Sequence, residues 1–217
     1  MLVIALTSIP PRFGQLPRVL AALLTQGADR VALVIPRRYR RFDPTPLPDV
    51  PQGIEILETG TDLGPAGKLI APAAAFPGAD ILYCDDDWIY GPGWANTFRF
   101  ERIHHKPRTV LAGSTWSTAR IDRHGGTIAQ GFAGVCVPAD DAARIPPPPP
   151  DAWAVDDIWL SGWFAGLGLT IADAPGARAR CTPLASPGAL QDLTDRDAAN
   201  RAAAALIHER FGFWQKR

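Results

Sequence analysis

The sequence predicts a single α/β domain built on a central, mostly parallel sheet flanked by helices. Two observations carry that class. Short apolar runs of strand length alternate with helix-spaced apolar sets through the first half of the chain. Glycine- and proline-marked turns separate them, as expected of successive strand–helix units. The length agrees: 217 residues suffice for one domain with a sizeable core.

Taken in order, Leu2 to Leu6 reads as the first strand, left through Thr7-Ser8-Ile9-Pro10-Pro11-Arg12. Leu16, Val19, Leu20, Leu23 and Leu24 then recur at helical spacing, and Gly27 closes that helix. Val31 to Ile35 is a second strand stopped by Pro36. Prolines 44, 46, 48 and 51 exclude a regular element from Arg37 to Gln52, so the basic run Arg37-Arg38-Tyr39-Arg40-Arg41 reads as a solvated loop. Ile54 to Leu57 is the third strand. A glycine-bearing loop from Thr59 to Lys68 opens a helix through Ala75, and an apolar strand, Ile81-Leu82-Tyr83-Cys84, follows. Gly91-Pro92-Gly93 starts a helix to about His105. Strands are expected at Thr109 to Gly113, at Gly131 to Val137 and at Leu169 to Ala172. Pro146 to Pro150 is a stiff extended spacer. Asp156-Asp157 heads a helix with Leu160, Trp163, Phe164 and Leu167 on one face, and a last helix runs from about Asp195 to Arg210.

Composition narrows the function. Lys plus Arg equals Asp plus Glu, 22 each, so nothing suggests a nucleic-acid groove or an electrostatic membrane anchor. Cys84, Cys136 and Cys181 are odd in number and widely spaced, which fits free thiols in a reducing compartment. The apolar N-terminus has no basic leader and reads as a strand, not a signal peptide. No apolar run has the length of a transmembrane segment. A soluble, cytoplasmic protein is expected.

The chemistry concentrates where the fourth strand ends in Asp85-Asp86-Asp87. Three adjacent carboxylates repel one another and need a neutralising partner. In extended backbone Asp85 and Asp87 project to one side and Asp86 to the other. Two oxygen ligands at a strand end suit Mg²⁺ or Mn²⁺, with phosphate oxygens and water completing the octahedron. The bland alternative is an acidic turn in which Asp85 or Asp87 caps the following helix. In an open α/β sheet the ligand crevice lies beyond the carboxyl ends of the strands, which brings together the loops Thr7 to Arg12, Asp62 to Lys68, Asp85 to Asp87 and the one after Gly113. Gly64, Gly67 and Lys68 would offer N–H groups and an ammonium to a diphosphate, although the spacing is not that of a Walker motif.

Four motifs in this order carry a family resemblance. A first strand ending in Thr7-Ser8-Ile9-Pro10, the loop Asp62-x-Gly64-Pro65-x-x-Lys68, the Asp85-Asp86-Asp87 triplet and Trp153-x-x-Asp156-Asp157-x-Trp159 resemble those of nucleotide-sugar glycosyltransferases with the Rossmann-like GT-A fold. The resemblance spans about residues 2 to 165. It implies a nucleotide sugar, usually a UDP-sugar, as donor and a carbohydrate or other hydroxyl acceptor. It makes Asp87 the ligand of Mn²⁺ or Mg²⁺ and Asp85 a ribose or metal contact, with Asp86 beside them. Thr7, Ser8, Arg12 and Asp62 would line the nucleotide pocket, and Lys68 would face the phosphates. Asp157 would be the base and Asp156 its support, although Asp is also a favoured helix cap. His208 would be a third metal ligand. Residues 1–114 would bind the donor and 115–217 the acceptor, with acceptor choice in loops 115–130 and 139–155. Trp88, Trp153, Trp159 and Trp163 are candidates for stacking on sugars, with core packing preferred for Trp163. Gly131 to Gly134 resembles a small-residue segment that lets the donor sugar approach. Two rivals remain: a sugar-phosphate nucleotidyltransferase, whose glycine-rich loop after strand one is absent here, and a non-catalytic nucleotide- or carbohydrate-binding module of the same fold.

Overall fold

A computed structural model of the chain describes residues 1–190 and 195–216. The first unit is β1 (Leu2–Thr7), α1 (Leu16–Leu24), β2 (Arg30–Pro36) and β3 (Ile54–Thr59). Then come α2 (Gly67–Ala75), β4 (Asp80–Tyr83), β5 (Trp88–Tyr90), α3 (Trp94–His104), β6 (Thr109–Ala112), β7 (Thr115–Ser117) and β8 (Thr127–Ala129). The chain ends with β9 (Val135–Pro138), α4 (Ala139–Ala142), α5 (Asp156–Gly166), β10 (Thr170–Asp173), β11 (Cys181–Pro183) and α6 (Arg196–Phe211).

Seven strands form one sheet in the order β10-β6-β9-β4-β1-β2-β3. Every pairing is parallel except those of β9, which runs antiparallel to both neighbours. The central strands are apolar at consecutive positions because both faces are covered. In β1, Val3 and Ala5 join the core under α2 and α5, whereas Leu2, Ile4 and Leu6 join the core under α1 and α3. β4 repeats the division, with Ile81 and Tyr83 on one side and Leu82 and Cys84 on the other. The two C-terminal helices pack closely: a Cβ on Gly162 of α5 would lie 2.4 Å from the Ile207 side chain of α6. Asp195 caps α6 by accepting from the Ala198 N–H at 3.0 Å.

Several expectations are corrected here. Gly131–Ala133 is a 3₁₀ turn, and the strand begins only at Val135. The β7–β8 hairpin and the β5–β11 pair are strands of only three residues, too short to leave a periodic signal. Neither Asp85 nor Asp87 caps a helix, since α3 opens on Gly93 in left-handed backbone with φ 78°. Trp159 and Trp163 are core residues, their rings meeting edge to face at 5.9 Å, and the Trp159 indole donates to the Pro146 carbonyl at 3.0 Å. Among the described residues no helix is long and apolar enough to cross a membrane.

Candidate active site

β1 hands the chain to β2 on one side and pairs with β4 on the other, so the crevice at their carboxyl ends is the topological switch point of the sheet. A cleft of about 430 Å³ opens there. Thr7, Ser8, Arg12, Asp62, Lys68, Asp85, Asp86, Asp87, Asp156 and Asp157 all line it. His208 does not. Its ring Nδ1 lies 2.9 Å from the Phe213 carbonyl at the end of α6, which corrects the expectation of a third metal ligand.

β4 ends at Tyr83, so the three acids lie beyond the strand, with Asp86 and Asp87 in a turn. Each carboxylate has a different partner. Asp86 is buried, accepting from Ser8 Oγ at 2.5 Å and from the Arg12 guanidinium. Arg12 also stands 3.3 Å from Asp87, whose Oδ2 accepts from Ser186 Oγ at 2.6 Å. Asp85 pairs with Lys68 at 2.5 Å. Burial opposes the charge on Arg12, yet Asp86 and Asp87 more than offset it and raise its pKa. Burial pushes the Asp86 carboxyl up, with Arg12 and Ser8 pulling against it.

Lys68 is not a solvent-facing phosphate ligand. Its side chain is 3% exposed, and its ammonium bridges Asp85 at 2.5 Å and Asp156 at 2.8 Å. Burial alone would drive its pKa down, but Asp156 and Asp85 hold it well above the usual lysine value. The backbone closes over this ammonium at Gly131: a Cβ there would lie 2.6 Å from Nζ and 3.2 Å from Asp85 Oδ1. Only glycine fits.

Asp156 and Asp157 occupy the first turn of α5 without capping it, since the preceding Val155 provides no side-chain bond. Asp157 Oδ1 instead accepts the Gly131 N–H at 3.0 Å. Loss of water around it, and then the neighbouring Asp156, push its carboxyl up to about 7, with Lys68 pulling the other way. A carboxylate so placed exchanges a proton near neutral pH.

Asp62 contacts the cleft but spends its oxygens on backbone, accepting the Gly64 N–H at 2.8 Å and the Arg40 N–H at 2.9 Å. Thr7 Oγ1 ties β1 to β2 by donating to the Val34 carbonyl at 2.8 Å. Trp88 lines the cleft with its ring stacked on Phe132 at 4.8 Å. Trp153 donates to the Asp62 carbonyl at 3.1 Å.

Other lining residues gave no local signal. The basic run is not simply solvated: Arg40 lies over the Trp153 ring at 5.3 Å, and Arg41 donates to the Gly188 carbonyl at 2.5 Å. Tyr39 donates to the Ser8 carbonyl at 3.0 Å. The segment around Ser186 reaches the site from 99 residues beyond Asp87.

Among the described residues no three His, Cys, Asp or Glu side chains converge as a complete metal cage. Asp85 and Asp87 nonetheless fit a hard divalent cation. Such ions bind through one or two carboxylates, with substrate phosphates and water as the other ligands. Lys68 takes Oδ1 of Asp85 and Ser186 takes Oδ2 of Asp87, which leaves one oxygen of each.

No family model and no curated protein sequence matches the chain. Solved structures do. Glucosyl-3-phosphoglycerate synthase from Mycobacterium tuberculosis, in complex with Mn²⁺ and UDP-glucose, superposes with a TM-score of 0.61 at 11% identity, covering 98% of this chain and 79% of that one. The same enzyme with Mn²⁺, UDP and glucosyl-3-phosphoglycerate gives 0.58 at 11% identity, over 98% and 80% of the two chains. A further mycobacterial protein gives 0.60 at 11% identity, over 98% and 75%. The chain has the GT-A fold. The expected fold class is therefore met, with β9 the antiparallel exception in the sheet.

Proposed function

We propose that this protein is a glycosyltransferase that moves a sugar from a nucleotide donor, of the UDP-sugar kind, to a hydroxyl acceptor with the aid of Mn²⁺ or Mg²⁺. One observation carries the reading: the Asp85–Asp87 triplet and the Asp156–Asp157 pair meet in one cleft at the switch point, joined by Lys68. The fold supports it, since neighbours of that fold bind UDP-glucose and Mn²⁺. One domain serves both substrates, residues 1–114 chiefly holding the donor and 115–217 the acceptor. Three buried free thiols fit a reducing compartment such as the cytoplasm.

In this reading Thr7, Ser8, Arg12, Asp62 and Tyr39 shape the nucleotide pocket, and Asp85 and Asp87 hold the divalent cation. When bound, that cation acts as a Lewis acid on the charge developing at the departing nucleoside diphosphate. The acceptor oxygen bonds to the anomeric carbon as the carbon–oxygen bond to the diphosphate breaks, and Asp157 takes the acceptor proton. The preparation of Asp157 for that role is its dry, acidic surroundings, which place its pKa at about 7. Lys68 fixes Asp85 and Asp156 at a set separation, so donor and acceptor sides are mounted on one ion pair network.

Calorimetric titration of UDP with and without Mn²⁺, on the parent and on Asp87→Ala, tests the reading. Divalent-dependent binding that Asp87→Ala abolishes, together with slow hydrolysis of one member of a UDP-sugar panel, is the expected result. UDP binding indifferent both to Mn²⁺ and to that substitution overturns it.

A further inference from the structure

The run Pro146 to Pro150 takes no part in the catalytic reading, yet it lies largely in the open with its conformation already set. Consecutive proline rings fix φ near about −65° and remove the amide donors, so the stretch cannot build an α-helix or a central strand. What remains is the left-handed polyproline II helix, with about three residues per turn. Pro149, at φ −67° and ψ 167°, is close to it. Burial follows the same period. Ile145 and Pro148 are buried, whereas Pro146, Pro147 and Pro150 are exposed and Pro149 is half-buried. One edge of this helix therefore grips the protein, and the other two face outward. The Trp159 indole fastens the run from within by donating to the Pro146 carbonyl at 3.0 Å.

The outward edges have the layout of a ligand. Pro146-Pro147 and Pro149-Pro150 form two pairs, and Pro148 between them is the residue turned inward. A Pro-x-x-Pro segment docks on an aromatic-lined groove by two edges of its helix, which leaves the third edge free. Here the third edge is the one the fold itself uses. Being held in the docking conformation also lowers the ordering entropy lost on binding. Charge gives the polarity and the partner. Arg144 stands three residues before Pro147, in the turn that closes α4, with its side chain 61% exposed. Asp141 lies 3.9 Å from it but sits closer to Arg108, at 3.0 Å, so the Arg144 guanidinium is available to an acid from outside. We propose that residues 144–150, reading Arg-x-x-Pro-x-x-Pro, are a docking site for a protein domain of the SH3 kind, its aromatic groove on the two proline pairs and an acidic pocket on Arg144.

None of residues 144–150 lines the catalytic cleft, so the inference stands apart from the glycosyltransferase reading. The probe is a purified, isotope-labelled SH3 domain of Arg-x-x-Pro-x-x-Pro specificity, titrated with the full chain and followed by NMR. A labelled WW domain, which reads prolines in another pattern, is titrated in parallel. The expected result is saturable shifts in the SH3 domain, confined to its aromatic groove and acidic pocket, with a weaker response or none from the WW domain. Pro147→Ala should weaken binding roughly tenfold, and Arg144→Gln severalfold. Both positions are exposed, and thermal unfolding checks that each variant keeps the parent fold. No SH3 shift at about 1 mM chain overturns the inference. Shifts indifferent to both substitutions overturn it too, as does tighter binding of the WW domain.

Discussion

The acidic triplet and the acidic pair face one cleft, yet their charges are handled in opposite ways. In the triplet every carboxylate has a partner: Lys68 for Asp85, Ser8 and Arg12 for Asp86, Ser186 and Arg12 for Asp87. In the pair Asp156 claims the Lys68 ammonium, while Asp157 accepts a backbone N–H, feels Lys68 at longer range and rises to about 7. A site meant to hold charge balances each acid locally, whereas one meant to pass a proton leaves an acid under-compensated. The two clusters teach this together because one lysine serves both.

Removing that lysine is the most damaging way to break the contrast. Lys68→Met leaves Asp85 and Asp156 without their cation and should cost about 3–5 kcal/mol of stability, the usual penalty for breaking a buried ion pair from one side. Urea denaturation measures it. A loss below about 1 kcal/mol would mean that the ammonium is not shared as the distances indicate.

Next in size is Asp157→Asn, which keeps the shape and cannot accept a proton. Transfer at saturating donor should fall by a factor of order 10², roughly 2.7 kcal/mol of barrier, with UDP–Mn²⁺ affinity retained. Asp156→Asn should lose less. Turnover near the parent level in Asp157→Asn, or a product of retained anomeric configuration, removes Asp157 from the role of base.

A change at Arg12 sharpens the other side of the comparison. Arg12→Lys keeps the charge but gives up the fork that reaches Asp86, Ser186 and the Pro187 carbonyl together. About 1–2 kcal/mol of stability should go. Thermal unfolding checks it, and an unaltered Tm would show that the fork contributes nothing.

The mildest probe is pH. With the Asp157 carboxyl at about 7, kcat/KM should fall tenfold per unit below that value, and Asp157→Asn should abolish this limb. The stability sign is opposite. A carboxyl raised on folding stabilises the protein fully below the ordinary Asp range, and that contribution is lost as pH climbs to about 7 and above. Asp157→Asn should therefore gain stability relative to the parent as pH rises through 7.

Much of this was legible in the chain. The two acidic motifs and the alternating elements of the first half are local patterns, and the structure gathers them in one cleft. What escaped was set by contacts distant in sequence. Lys68 looks like a phosphate ligand from its place at a helix start, and only the passage of Gly131 over it makes it an internal bridge. Arg41 reads as solvated until Gly188 arrives beside it, and Ser186 carries no motif at all. His208 was misplaced because its ring faces the Phe213 carbonyl and is not among the residues that line the cleft. The strands of three residues are too short for periodicity to mark them.

The antiparallel course of β9 has a consequence for how the sheet finds its pairing. Because β9 runs against β4, with Val135 opposite Tyr83, the residues just before it arrive at the acidic end of β4. The 3₁₀ turn Gly131–Ala133 immediately precedes β9 and brings Gly131 over the Lys68 ammonium. Strand slippage is usually opposed by exposing apolar side chains. Here the seam also delivers Gly131 to the Lys68 bridge, so strand pairing and the charge balance of the cleft are set by the same stretch of chain, and Gly131→Ala should loosen the Lys68 pairs with Asp85 and Asp156.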